Sequence, residues 1–236
     1  AGKTVLALAD SIMPQVTRTK ANLKRLAHGQ AGRLRLASEC HSCFDWLMPI
    51  LNHYRREWSD VELDFATGFE PEPHHLLMEG DIDLLITTSN LPIEGISYQP
   101  LFEYESRLVL SPTHDLAEQQ FIHAQDLVDQ TLIAYPVEAK RLDIIANFMT
   151  PEQVSFKSMR TTELTAMLIQ LVASERGVAA LPDWVVAEYE KKGWVVSRPL
   201  GKGVYCQLYA ATRTSSQDTA YMQGFASLLE GIVKPV

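Results

Sequence analysis

The chain has 236 residues with 21 Lys+Arg against 29 Asp+Glu, a formal net charge of -8. That length suits one large or two small domains, and the acidic balance argues against a broad surface gripping a phosphate backbone. No run approaches the roughly 18 apolar residues of a membrane helix, and the 3 cysteines, two of them three positions apart, make a poor disulfide framework and fit a reducing cytoplasm. The chain opens Ala-Gly-Lys and not with Met, so its first residue is not expected to be the native start, and Asp10 and Pro14 interrupt any signal-peptide core.

Residues 4–27 read as one helix. Leu6, Ala9, Met13, Val16, Lys20, Leu23 and Ala27 recur at alternating three- and four-residue steps, as on a coiled-coil seam, with Lys20 as its flaw and Pro14 as a kink or new start. The same spacing also suits an amphipathic helix packed on its own domain. Gly29 and Gly32 then form a hinge.

Strands and helices alternate from there. Arg33–Ser38 reads as a strand, Phe44–Trp58 as a helix, Val61–Ala66 as a strand, Pro73–Glu79 as a short helix and Asp83–Thr88 as a strand. This βαβαβ order predicts a parallel sheet with right-handed crossovers. Ile96–Phe102 and Arg107–Leu110 continue as strands.

A second βα series starts near residue 112. Leu127 closes a short helix, Thr131–Tyr135 is a strand, Arg141–Met149 a helix and Val154–Arg160 a strand. Thr162–Arg176 is a helix with Leu164, Met167, Leu168, Leu171 and Val172 on one stripe. Val178–Leu181, Trp184–Lys192, Trp194–Arg198, Tyr205–Thr212 and Thr219–Val233 follow as strand, helix, strand, strand and helix. Crossovers near 106–112 and 200–206 give two similar α/β lobes with a cleft between them. Ligands of open α/β sheets bind beyond the carboxyl ends of strands. Those ends are Ser38–Cys43, Thr87–Ser89, Tyr135–Val137 and Arg160–Glu163.

The first of these ends is the most distinctive. Cys40-His-Ser-Cys43 stands between a strand and a helix start, where free N–H groups and the helix dipole suit a small anion. The same C-x-x-C could be a redox dithiol with a lowered thiol pKa, or only small residues that fit a tight turn. A zinc site lacks a second ligand pair at usual spacing. His41 beside the thiols lacks an orienting carboxylate other than Glu39, and His74-His75 reads as a solvated pair. Arg160-Thr-Thr-Glu163 predicts an N-cap at Thr161 or Thr162, with Glu163 on the positive end of the helix dipole. Facing helix starts, with hydroxyls from Ser42, Thr88 and Thr161, would hold a carboxylate without any buried Arg. No nucleotide-binding, serine-hydrolase or zinc-protease signature is present, and Gly201-Lys-Gly203 reads as a turn.

The order of parts resembles the LysR-type transcriptional regulators from linker helix to C-terminus. Ile12-Met-Pro-Gln15, Gly29–Leu36, Trp46-Leu-Met-Pro49, Gly80–Thr88, Leu108–His114 and Gly177–Val185 carry the likeness. Glu39-Cys-His-Ser-Cys43, Leu132–Pro136, Arg141-Leu-Asp143 and Leu181–Val186 make it most similar to the branch that regulates methionine biosynthesis.

The resemblance implies a linker and dimerisation helix over 1–30 and an effector-binding domain over 31–236, with two Rossmann-like subdomains as in type 2 periplasmic binding proteins. Subdomain I would take about 31–108 and 206–236, and subdomain II about 109–205. It implies homocysteine as co-effector with no other cofactor or metal. It also implies homo-oligomers (dimer or tetramer), promoter DNA reached through an N-terminal winged helix-turn-helix missing from this sequence, RNA polymerase as a further partner, and no catalysis. Carried over by position, Cys40, Ser42 and Cys43, with His41 in the same turn, fall on the effector-contacting turn. Thr88 falls at the third strand's end, and Tyr135 and Thr161 on the facing edge. Ser42 and local N–H groups would take the effector carboxylate and Glu39 its ammonium, with the cysteines and Tyr135 lining its thiol side chain. The competing readings are a solute-binding protein of transport and a Cys40/Cys43 thiol-redox enzyme.

Overall fold

The computed structural model describes residues 31–39, 43–66, 73–216 and 218–232, plus isolated positions between Gly2 and Lys24 that are all helical. Of the expected seam, Leu6, Met13, Val16, Lys20 and Leu23 are exposed. Ala9, Pro14 and Ala27 lie outside the described residues.

The first lobe is built as its alternation dictates. Strand β1 (Gly32–Ser38) buries Leu34 and Leu36 and runs parallel to β2 (Val61–Ala66) on one side and β3 (Leu84–Thr87) on the other. Helix α1 (Phe44–Glu57) covers this sheet with Leu47, Leu51 and Tyr54, a spacing that puts all three on one face. Helix α2 (Pro73–Glu79) buries Leu77 in a separate cluster with Ile82, Leu85 and Ile96. A buried carboxylate, Asp83, ties the sheet end together, accepting from Arg213 at 2.7 Å and from the Arg35 backbone N–H at 2.9 Å.

Two long strands carry the chain between lobes. β4 (Ile96–Leu110) and the later β8 (Val196–Arg213) pair antiparallel along their lengths, so four strands expected from sequence are two. The pairing breaks twice. Leu101 and Phe102 stand against Leu208 alone, a bulge that bends β4. Further on, Ser106 pairs with Val204 but Arg107 with Pro199, and the intervening residues loop out. That excursion holds the Gly201-Lys-Gly203 segment expected as a turn. Its glycines take φ of +58° and +103°, and the Gly201 N–H donates to Ile122 O at 2.8 Å.

In the second lobe β5 (Thr131–Ala134) runs parallel to β6 (Ser158–Thr161). It also bridges in parallel to Val178, at the start of β7 (Ala179–Pro182), which pairs antiparallel with β4. Gly177 makes this possible. Its φ is +151°, and a Cβ there would sit 2.3 Å from Thr131 O.

Helix α3 (Thr165–Ala173) starts later than expected. Its cap position is Leu164 in extended conformation, and no side chain caps it. Thr161 instead ends β6, and the Thr162 N–H donates to Ala134 O at 3.0 Å, so the predicted threonine cap is replaced by sheet-like pairing. The buried ridge is Leu168, Ile169 and Val172, whereas Leu164 and Met167 of the predicted stripe are exposed. A helix apolar nearly all round does not mark its own inner face. The expected helix over Arg141–Met149 becomes a tight turn, Ala139–Arg141, followed by a helix that widens to a π-turn over Ile145–Met149.

Helices α4 (Asp183–Lys191) and α5 (Ala220–Glu230) complete the fold. α5 returns to the first lobe against α1, where the Tyr54 hydroxyl donates to Tyr221 O at 3.0 Å and Gly224 leaves room for the Trp58 indole. No helix among the described residues is long and apolar enough to cross a membrane.

Candidate functional site

The carboxyl ends of β1, β3 and β5 open on one cleft of about 930 Å³, counting its mouth. Glu39, Thr88 and Ser89 line it from the first lobe. Tyr135, Val137, Arg141 and Asp143 face them from the second. Tyr104 and Ser106 of β4 form the back, and Leu132, Leu168 and Leu181 supply apolar wall.

Glu39 extends β1, its N–H donating to Ile86 O at 2.9 Å, which fixes where the side chain leaves the sheet. One carboxylate oxygen accepts from Arg141 Nη2 at 2.5 Å across the cleft, and the other accepts from the Thr87 hydroxyl. Thr87 Oγ1 in turn accepts the Ser89 N–H at 2.9 Å, so the turn after β3 is braced from within. With the Glu39 and Arg141 side chains 13% and 22% exposed, this is a sheltered ion pair, with geometry of the strong charge-assisted kind.

A second polar group sits deeper. Asp143 opens the helix that widens to the π-turn, and its Oδ2 accepts the Tyr104 hydroxyl at 2.7 Å. Burial raises the Asp143 carboxyl above its ordinary range, and the Tyr104 bond only partly offsets this. Burial, with the neighbouring Asp143 charge, pushes the Cys206 thiol up to about 12. Asn147 Nδ2 points at that sulfur from 3.8 Å. Among the described residues, no cationic side chain forms an ion pair with Asp143.

The residues expected from sequence divide into three groups. Glu39, Thr88 and Tyr135 do line the cleft, the Tyr135 hydroxyl meeting Thr165 Oγ1 at 2.7 Å. Cys40, His41 and Ser42 lie outside the described residues. Cys43 and Thr161 are elsewhere. Cys43 is fully buried in the core at the foot of α1, its thiol donating to Ser38 Oγ at 3.1 Å. Thr161 is exposed at the end of β6 and is not among the residues that line the cleft.

From sequence no Arg was needed to hold a carboxylate; the half-buried Arg141 nevertheless lines the cleft, where it pairs with Glu39. Asp143, Tyr104 and Ser106 did not emerge from local pattern, because bulged β4 and an irregular helix bring them in. Arg141 and Asp143 were present only within a family-like tripeptide. Among the described residues no group of His, Cys, Asp and Glu is placed to hold a metal ion.

The LysR substrate binding domain matches residues 27–232. This chain belongs to the LysR family. It is 42% identical over 224 residues to the HTH-type transcriptional regulator MetR of Escherichia coli K12, a match that spans 95% of this chain and 69% of that protein. The regulatory domain of MetR from N. meningitidis superposes with a TM-score of 0.78 at 43% identity, covering 84% of this chain and 92% of that one. The regulatory domain of CcmR from Synechocystis has a TM-score of 0.75 at 18% identity, a likeness of fold alone. The chain is thus a MetR-like effector-binding regulatory domain with the two-lobed fold of type 2 periplasmic binding proteins, and its relatives are transcriptional regulators and not enzymes.

Proposed function

We propose that the chain senses homocysteine in the inter-lobe cleft and so regulates methionine-biosynthesis genes, with no resident cofactor. The observation that carries this reading is a cleft holding both charge signs, Arg141 with Glu39 and, separately, Asp143, beside an apolar wall of Leu132, Leu168 and Leu181. That combination suits a zwitterion with a short thiol chain. The similarity to MetR supports the choice of pathway. Ser42, Cys40 and His41 remain effector contacts in this proposal, as do Thr88 and Tyr135.

The effector would favour one arrangement of lobes and of a homo-oligomer, and thereby reposition DNA-binding heads at promoters where RNA polymerase is recruited. The exposed Leu6, Met13, Val16 and Leu23 on helical positions favour self-association through the leading helix, as a dimer or tetramer in a cytoplasmic setting. Isothermal titration with L-homocysteine, methionine, cysteine and serine tests the effector. Homocysteine should bind most tightly, and Ser42→Ala and Thr88→Ala should each weaken it about tenfold, the loss of one good hydrogen bond to a charged group. Unchanged binding in both variants would remove the first-lobe turns from the site.

A further inference from the structure

The cleft already contains an occupant of its one described guanidinium. Arg141, on the second lobe, is held by Glu39 from the first, and Glu39 is itself anchored by Thr87. A ligand carboxylate entering this cleft meets Arg141 as the obvious partner, but the two anions compete for it. The same geometry makes Glu39 a poor choice for a ligand ammonium, because its two oxygens accept from Arg141 and Thr87. Two positions along the chain, Asp143 also lines the cleft. Its described contacts to neighbours come from the neutral donors Tyr104 and Cys206.

Resting on the reading of this cleft as an amino-acid sensor, the geometry points to recognition by ion-pair exchange. The ligand's α-carboxylate takes Arg141 from Glu39, and its α-ammonium is received by Asp143 and not by Glu39. Glu39 then is a competitor built into the site. Its displacement breaks a bond that joins the two lobes, so the act of recognising the zwitterion also releases one lobe from the other. The pairing also sets specificity. An amine without a carboxylate cannot displace Glu39, and an acid without an ammonium leaves Asp143 uncompensated in a place where burial already disfavours its charge.

The test uses three probes on this chain: L-homocysteine, 4-mercaptobutyrate (no ammonium) and 3-mercaptopropylamine (no carboxylate), titrated calorimetrically. The parent should bind homocysteine at least about tenfold more tightly than either analogue, within the usual range of coupled interactions. Glu39→Gln should tighten homocysteine and 4-mercaptobutyrate several-fold, because the competitor has lost its charge. Asp143→Asn should weaken homocysteine about tenfold and leave 4-mercaptobutyrate unchanged or bound more tightly. Weaker homocysteine binding by Glu39→Gln would restore Glu39 as the ammonium partner and overturn the exchange. So would an equal loss for all probes in Asp143→Asn. Because Glu39→Gln alters a pair that keeps some exposure to solvent, its result decides even if Asp143→Asn folds poorly. If homocysteine fails to bind but another α-amino acid shows this pattern, the exchange stands and the effector assignment falls. If no α-amino acid binds, the exchange falls too.

Discussion

Breaking the cross-cleft pair in the unliganded protein provides the sharpest measure of how the lobes are held. Glu39 and Arg141 meet at 2.5 Å with side chains 13% and 22% exposed, which places the pair between a surface bridge and a fully buried one. A surface pair contributes about 0–1 kcal/mol and a hydrogen bond to a charged group about 1.5–3 kcal/mol. Removing one partner of a buried pair costs about 3–5 kcal/mol, because the other charge is stranded. At this intermediate exposure we expect Glu39→Gln and Arg141→Met each to cost about 2 kcal/mol, or about 4–8 °C in Tm for a chain of this size.

Each single change also disturbs other contacts, including the Thr87 hydroxyl on Glu39. A double-mutant cycle removes that ambiguity, since contacts private to one residue cancel. The double variant should be less destabilised than the sum of the singles by about 1–2 kcal/mol, measured by urea denaturation at low and high salt. Additivity within about 0.5 kcal/mol would show the two charges to be uncoupled and the latch to be absent in solution.

Three further outcomes follow from local physics. Gly177→Ala should destabilise by about 3 kcal/mol or more, because the new Cβ meets Thr131 O at 2.3 Å and forces apart the link between β5 and β7; a urea midpoint within about 1 kcal/mol of the parent would contradict this. Burial raises the folded-state pKa of Asp143 above the ordinary carboxylate range, so the folded protein binds that proton more tightly than the unfolded chain. Stability therefore falls as pH rises from the ordinary carboxylate value through the raised one, and stays lower above it. Asp143→Asn should accordingly gain stability relative to the parent as pH rises through that window, with Cys206 still protonated throughout; a difference in Tm independent of pH would refute it. With its thiol pushed up to about 12 and its side chain buried, Cys206 should resist a disulfide reagent at mildly alkaline pH until the protein is unfolded, and labelling as fast as a free thiol would count against the geometry.

Much of the first lobe was legible because its signals are local. Leu34 and Leu36 alternate with arginines, Leu47, Leu51 and Tyr54 recur on one helical face, and Gly80 closes the helix before β3, so period alone separates strand from helix. The long strands were not legible as single elements. Gly201 and Gly203 look like a turn because glycine supplies the positive φ that turns use, and the same conformation serves a bulge inside a paired strand. The threonine cap failed for a similar reason: Thr161 and Thr162 could cap a helix, but tertiary pairing with Ala134 uses that backbone first. Within the cleft, Glu39, Thr88 and Tyr135 were legible as strand ends. Arg141 and Asp143 depended on an irregular helix whose direction no periodicity encodes.

The placement of the cleft explains how occupancy can be transmitted at all. The chain passes to the second lobe along β4 and returns along β8, and their shared register shifts on either side of the stretch that backs the site. Around the first shift the rings of Trp46, Phe102 and Trp184 stand edge to face at 5.5 Å and 6.5 Å, joining the α1, β4 and α4 packing into one aromatic column. The bulge already bends β4 beside the cleft, while packed rings resist small continuous distortion, so the natural response to a changed cleft is a discrete repacking. A ligand can shift that equilibrium only by the difference in its affinity for the two arrangements. A bond between Glu39 and Arg141 present in one arrangement and replaced by ligand in the other is such a difference. Each tenfold of preference corresponds to about 1.4 kcal/mol, close to what a single sheltered ion pair supplies. The latch is therefore of the right size to be overcome by one small amino acid.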